Sequence, residues 1–147
     1  MAATWAYFDT SALVKRYVSE AGSLQVRELL RRHDFLSSTI TPVELLSGLA
    51  KRRRAGDLSE EIFTALLRRI QRDRTRWELV EVGPMILNSA EQIVQGSVSI
   101  KTLDAIHVAS LVTFQTASGT HIPFITGDTR QREAAKHVGL DVVWVGQ

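Results

Sequence analysis

The sequence predicts a three-layer α/β/α domain built on a central parallel sheet of about five strands, and three observations support this. Five short apolar runs alternate with amphipathic helical patterns, and strands separated by helices pair in parallel through right-handed crossovers. The 147 residues, 44% apolar and 23% charged, have the length and balance of one domain. A chain of this size buries on the order of 70% of the surface it exposes when unfolded, so it needs no staples. No repeat, linker or low-complexity tract interrupts residues 1–147, and a single domain is expected.

Each element has its own signals. Residues 4–8 read as the first strand and 11–17 as a short helix. A second helix covers 23–32, with Leu24, Leu29 and Leu30 on or near one face and Arg27, Glu28 and Arg31 toward water. Residues 35–40 read as a strand. Thr41 as N-cap, Pro42 at the first helical position and Glu44 closing a capping box then start a helix that runs to about Arg54. Ala55, Gly56 and Asp57 turn the chain into a basic helix from 59 to about 74, with Ile62, Leu66 and Ile70 on its inner side. The two form a basic helical hairpin at about 42–76.

Strand 78–82 follows, then a helix from Pro84 to near Gln95 stopped by Gly96. Thr102 caps a helix from 103 to about 115. Its Leu103, Ala105, Ile106, Val108, Ala109, Leu111 and Val112 cover most sides, so it should be largely buried. A polar loop at 115–121 leads to strand 122–126, a helix at 129–138 ended by Gly139, and a last strand at 142–145.

Composition excludes several chemistries. With no cysteine and four scattered histidines, disulfides, zinc ribbons and thiol nucleophiles drop out, and any metal must be held mainly by oxygen. No apolar run approaches the ~20 residues that span a bilayer. The start, residues 1–8, lacks a basic n-region and a long apolar h-region, so a cytoplasmic address is expected. Net charge is +2, but residues 51–76 carry nine basic against four acidic side chains. That local excess suits a polyanion or an acidic partner, and it also suits a solvated arginine-rich surface.

Four carboxylates occupy positions that a surface charge would not choose. Asp9 directly follows the first strand, Glu44 and Asp104 lie in first turns of helices, and Asp128 lies between a strand and a helix. In an open parallel sheet, ligands bind beyond the carboxyl ends of the strands, where such junctions gather. Each acid also has a structural use: Glu44 in a capping box, Asp128 and Asp9 as helix caps, Asp104 on a helix dipole. Four acids on one edge repel one another unless a cation sits among them. Asp104, on a helix expected to be buried, needs a partner most. His107, one turn on, is read as a packed, half-buried histidine, with contact to the acids or to substrate as the alternative. An oxygen-only site fits Mg²⁺ or Mn²⁺ and supports metal-assisted hydrolysis of a phosphodiester. Arg68, Arg72 and Arg76, on one helical stripe, would hold the phosphate backbone.

Four segments carry a family resemblance. Phe8-Asp9-Thr10-Ser11-Ala12-Leu13-Val14-Lys15, Thr41-Pro42-Val43-Glu44-Leu45, Leu103-Asp104-Ala105-Ile106-His107-Val108-Ala109 and Phe124-Ile125-Thr126-Gly127-Asp128-Thr129 resemble, in order, the motifs of PIN-domain ribonucleases. They are most similar to those of VapC-type toxins of toxin–antitoxin pairs, and the likeness extends from Asp9 to Val145. It implies a Mg²⁺- or Mn²⁺-dependent endoribonuclease whose metal-binding acids are Asp9, Glu44, Asp104 and Asp128. Asp9 and Asp104 would be the principal ligands, with Ser11 and Thr126 as polar supports behind them. A homodimer and a VapB-type antitoxin are implied as well. Two other functions fit parts of the pattern: a receiver-like phosphotransferase using Asp9 as acceptor, and a non-catalytic RNA-binding or adaptor module using only the basic hairpin.

Overall fold

The computed structural model describes residues 4–146; Met1 to Ala3, part of the N-terminal stretch read for a leader, and Gln147 lie outside it. The strands are β1 (Trp5–Phe8), β2 (Asp34–Ser38), β3 (Glu78–Val80), β4 (Phe124–Thr126) and β5 (Val142–Trp144). They form one sheet, parallel throughout, in the order β3-β2-β1-β4-β5. The connecting helices are α1 (Thr10–Tyr17), α2 (Ser23–Arg32), α3 (Thr41–Arg54), α4 (Glu60–Asp73), α5 (Pro84–Val94), α6 (Thr102–Ser118) and α7 (Thr129–His137). The expected three layers are present. Among the described residues, no helix is long and apolar enough to cross a membrane.

Strand side chains point alternately to opposite faces, and this sorts the core. Ala6, Phe8, Phe35 and Ile125 pack with Leu13, Val26, Leu45 and Phe63 of α1 to α4. Tyr7, Leu36 and Phe124 face the other way, onto Val108 and Leu111 of α6 and Ala134 of α7. Tyr7 and Phe124 are partners across β1 and β4, and their rings stack with centroids 5.3 Å apart at 8°. Such a pair adds about 0.5–1.5 kcal/mol beyond area burial. α5 closes this side by packing Ile86 and Ala90 on Ala105 and Ala109 of α6.

Several local expectations are corrected. Leu24 of α2 is exposed, because Ser23 is drawn inward by hydrogen bonds to the Glu20 amide and the Val18 carbonyl. The buried stripe is therefore Ser23 and Val26, with Leu29 and Leu30 half-buried behind them. In α4 the inner face is Phe63, Leu66 and Ile70, and Ile62, one residue off that stripe, faces water. The helix ends at Asp73, which is held by the Tyr17 hydroxyl at 2.6 Å and Arg16 Nε at 3.4 Å. A 3₁₀ turn at Arg74–Arg76 follows, so Arg76 leaves the stripe that Arg68 and Arg72 share and delivers Trp77 onto Phe35. Thr41 is the first residue of α3 rather than its cap, because its hydroxyl is occupied by Ser37 Oγ at 2.6 Å and the Ser38 amide at 3.3 Å. The capping box does not form. Lys101, not Thr102, occupies the N-cap of α6, which continues to Ser118, so much of the expected 115–121 loop is helical.

The turn between α1 and α2 is fixed by Gly22, at φ +89°, where a Cβ would strike the Val145 carbonyl. Gly56 has a similar φ of +86° with open space around it. Gly56→Ala should therefore cost only the left-handed backbone penalty of about 1–2 kcal/mol. Gly22→Ala should cost clearly more, because the turn must also move off the Val145 backbone just after β5. Chemical denaturation of the two variants beside the parent chain measures the difference.

Candidate functional site

Parallel strands deliver every strand-to-helix junction to one edge, and the predicted acids are found along it. β1 ends at Phe8, and Asp9 caps α1: its Oδ1 accepts from the Ala12 amide at 2.9 Å and from Ser11 Oγ at 2.6 Å. Ser11 Oγ in turn accepts the Gly127 amide at 2.9 Å, which ties the β4–α7 turn to α1. Thr126 Oγ1 accepts the Asp128 amide at 3.0 Å in the same turn. Asp9 is wholly buried, and its second oxygen, Oδ2, has no hydrogen-bond partner among the described residues. Burial pushes this carboxyl up from its ordinary value, against the pull of His107 and the Ser11 and Thr126 hydroxyls.

Glu44 sits in the first turn of α3 but turns inward. Its Oε1 accepts from Thr10 Oγ1 and from His107 Nε2, both at 2.7 Å. Burial works against its charge, yet His107 and Thr10 outweigh burial and hold the carboxyl below its ordinary value. His107 is fully rather than half buried, and its Nδ1 meets the Tyr7 hydroxyl at 2.8 Å. Burial, with the Asp9 charge behind it, pushes the Tyr7 hydroxyl far up, so Tyr7 keeps its proton. The Glu44 carboxylate can only accept, so Nε2–H of His107 donates to it while Nδ1 pairs with the Tyr7 hydroxyl. Tyr7, Thr10 and His107 thus form a chain from the sheet core to one oxygen of Glu44. His107 lies three residues after Asp104, one helical turn along, and that spacing was the only signal in the sequence for its place here.

Asp104 and Asp128 share a neighbour. Asp128 caps α7 by accepting the Gln131 amide at Oδ1, 3.0 Å away, and the Gln131 side chain donates to Asp104 Oδ1 at 2.9 Å. Asp104 is half-buried where α6 passes from its exposed first residues, the expected core residue Leu103 among them, into its buried stretch from Ala105 to Leu111. Burial, then the Asp128 charge, push its carboxyl up, with Glu44 adding to the rise and His107 and Lys101 opposing it. Asp128 and Glu44 act on the Asp104 carboxyl, but the four acids do not make a ready cage: among the described residues, no group of three or more His, Cys, Asp or Glu could hold a metal as placed. Each carboxylate is satisfied through one oxygen by its own local donor. The repulsion that sequence reasoning assigned to a cation is therefore relieved in part by Ser11, His107 and Gln131.

The donor set still fits a hard divalent ion. It consists of oxygens, and it includes a buried carboxylate oxygen left without a partner. Of the predicted arginines, Arg68 and Arg72 are exposed on α4, and Arg76 stands apart on the 3₁₀ turn.

The family model for the PIN domain matches residues 6–137. No curated protein matches the chain significantly. Among solved structures, FitAcB from Neisseria gonorrhoeae is similar with a TM-score of 0.69 at 18% identity, over 93% of this chain and 95% of that one. A toxin-antitoxin complex from Klebsiella pneumoniae is similar with a TM-score of 0.65, also at 18% identity, over 94% and 95% of the two chains. Likeness at this identity establishes the fold.

The raised Asp104 carboxyl has a stability consequence with a definite sign. Its folded value lies above the unfolded one, so the charged form destabilises the fold at neutral pH; the cost fades as pH falls through the raised folded value and is gone below the unfolded one. Asp104→Asn, which keeps an oxygen for Gln131, should raise the thermal midpoint at pH 7 in chelator, and the gain should vanish near pH 3. A midpoint lowered at pH 7 would contradict the electrostatic account.

Proposed function

Because the chain belongs to the PIN domain family, we propose that it is a metal-dependent endoribonuclease, a VapC-type toxin acting as a single domain in the cytoplasm. The observation that carries this proposal is Asp9 Oδ2, a buried carboxylate oxygen without a partner among the described residues, on the edge that also carries Glu44, Asp104 and Asp128. Leaving such an oxygen unpaired costs free energy that a cation would recover.

Asp9 and Asp104 would be the principal ligands of Mg²⁺ or Mn²⁺. When bound, the ion supplies a water of lowered pKa and neutralises charge developing at the phosphorus. The protein's own side chains do the rest. Ser11 and the Ala12 amide fix Asp9 so that only Oδ2 is available. His107 and Thr10 occupy Glu44 Oε1, leaving Oε2 to hold a water or a second ion. Gln131 sets the Asp104 carboxylate beside Asp128, whose role matches that of Glu44. Arg68 and Arg72 on the hairpin contact backbone phosphates of the RNA.

The family and the Klebsiella toxin-antitoxin complex support a VapB-type antitoxin as partner. Exposed Val43, Met85, Leu87 and Leu103, in the opening turns of α3, α5 and α6, support a homodimer that covers them.

Purified protein free of any partner should cleave RNA with Mg²⁺ or Mn²⁺ and lose that activity in chelator, as read on a denaturing gel. Asp9→Asn and Asp104→Asn should each slow cleavage by about 100-fold or more, since a metal's charge stabilisation is worth several kcal/mol and each ~1.4 kcal/mol is tenfold. Folded protein that cuts no RNA in any metal would sink the nuclease proposal.

A further inference from the structure

The edge of the sheet opposite the acids holds a second feature. The last turn of α1, the outer half of α2 and the segment between α4 and β3 enclose a cleft of about 310 Å³. Four guanidinium side chains line it: Arg16, Arg27, Arg31 and Arg76, with His33 and Trp77 between them. Two carboxylates also line it, and both are engaged: Asp73 accepts from the Tyr17 hydroxyl and Arg16, and Asp34 accepts the Thr4 amide at 3.2 Å. Arg27 and Arg76 have no carboxylate within ion-pair distance among the described residues. His33 Nδ1 is buried there with no hydrogen-bond partner.

We propose that this cleft binds the sugar-phosphate backbone of single-stranded RNA, away from the acids. Guanidinium forks match phosphate oxygens in geometry and charge, and an arginine without a carboxylate partner meets an incoming phosphate with no ion pair to break. Trp77 favours RNA over an acidic peptide. Its indole leans on Phe35, with ring centroids 5.1 Å apart, and is otherwise half-buried in the cleft wall, an apolar surface on which a base can stack. α1 joins the two edges: Asp9 caps its first turn and Arg16 lies in its last, a span of about 10 Å. The inference rests on the nuclease proposal for its choice of ligand but not for its test.

The test is fluorescence anisotropy of a labelled short single-stranded RNA in chelator, where nothing is cut, with the parent chain and the double variant Arg27→Gln/Arg76→Gln. Neither side chain is buried, so the fold is retained, and an unchanged thermal midpoint checks it. Affinity at low salt should fall about tenfold or more, and the slope of log affinity against log salt should flatten by about 0.7 for each lost phosphate contact. Oligoglutamate of matching charge should compete poorly. Unchanged affinity and slope would overturn the proposal, and so would oligoglutamate that displaces RNA at equal charge, which would assign the cleft to an acidic peptide. A chain that binds RNA through the cleft but cuts it in no metal would refute the nuclease proposal alone.

Discussion

A carboxyl group with no access to solvent at the end of the central strand is the constraint on which the site depends. Asp9 is set there by topology, because it follows β1 directly and β1 lies in the middle of the sheet. A buried charge must be repaid by local donors or lose itself to a proton. The surrounding sequence supplies the donors: Ser11 and Ala12 from α1, and Thr126 behind them from β4. Because Ser11 also takes the Gly127 amide, the arrangement that satisfies Asp9 simultaneously fixes the turn presenting Asp128. One electrostatic requirement thus positions two acids.

The same economy appears on the other side of the sheet. Tyr7 and Phe8 are neighbours in β1, and their side chains go to opposite faces: Phe8 to the α1–α4 layer, Tyr7 to the α6 layer. Tyr7 can therefore stack on Phe124 with its ring and reach His107 with its hydroxyl. His107 carries that fixed orientation to Glu44. A packing residue at the centre of the fold is in this way connected to a carboxylate at its edge through two hydrogen bonds, and a core substitution at Tyr7 reaches the site without touching an acid.

The alternation of elements was legible because strand and helix periods differ and because Gly and Pro mark the turns between them. The helix at 23–32 and the last two strands were found within a residue or two for that reason. The acids were legible as positions: Asp9 and Asp128 stand at strand-to-helix junctions, and Glu44 and Asp104 in the first turns of helices. What each oxygen does was not. Glu44 reads as a capping-box residue from Thr41 alone, and only the fold reveals that Ser37 has taken Thr41 and that Thr10 and His107, distant in sequence, have taken Glu44. Gln131 reads as an amide donor to Asp128, and it is one, but its side chain serves Asp104. The end of α4 was found within a residue, but the 3₁₀ turn that takes Arg76 off its stripe was missed, because Tyr17 and Phe35, which hold Asp73 and Trp77, lie outside any local window.

An edge rich in carboxylates is a poor place to bring a polyanion, and this sets what the rest of the surface must do. At physiological ionic strength, exposed charges are screened over about 8 Å, a shorter distance than the length of α1. Arginines at the far edge cannot neutralise the acids through solvent. On the proposed reading they would act by contact, holding part of an RNA strand and so offsetting the repulsion felt by the segment near Asp9 and Asp104. On the two proposals the acids meet a phosphate with a cation and the arginines meet it without one, so the two ends of α1 would divide the work: metal-independent holding at the cleft, metal-dependent chemistry at the sheet's carboxyl edge.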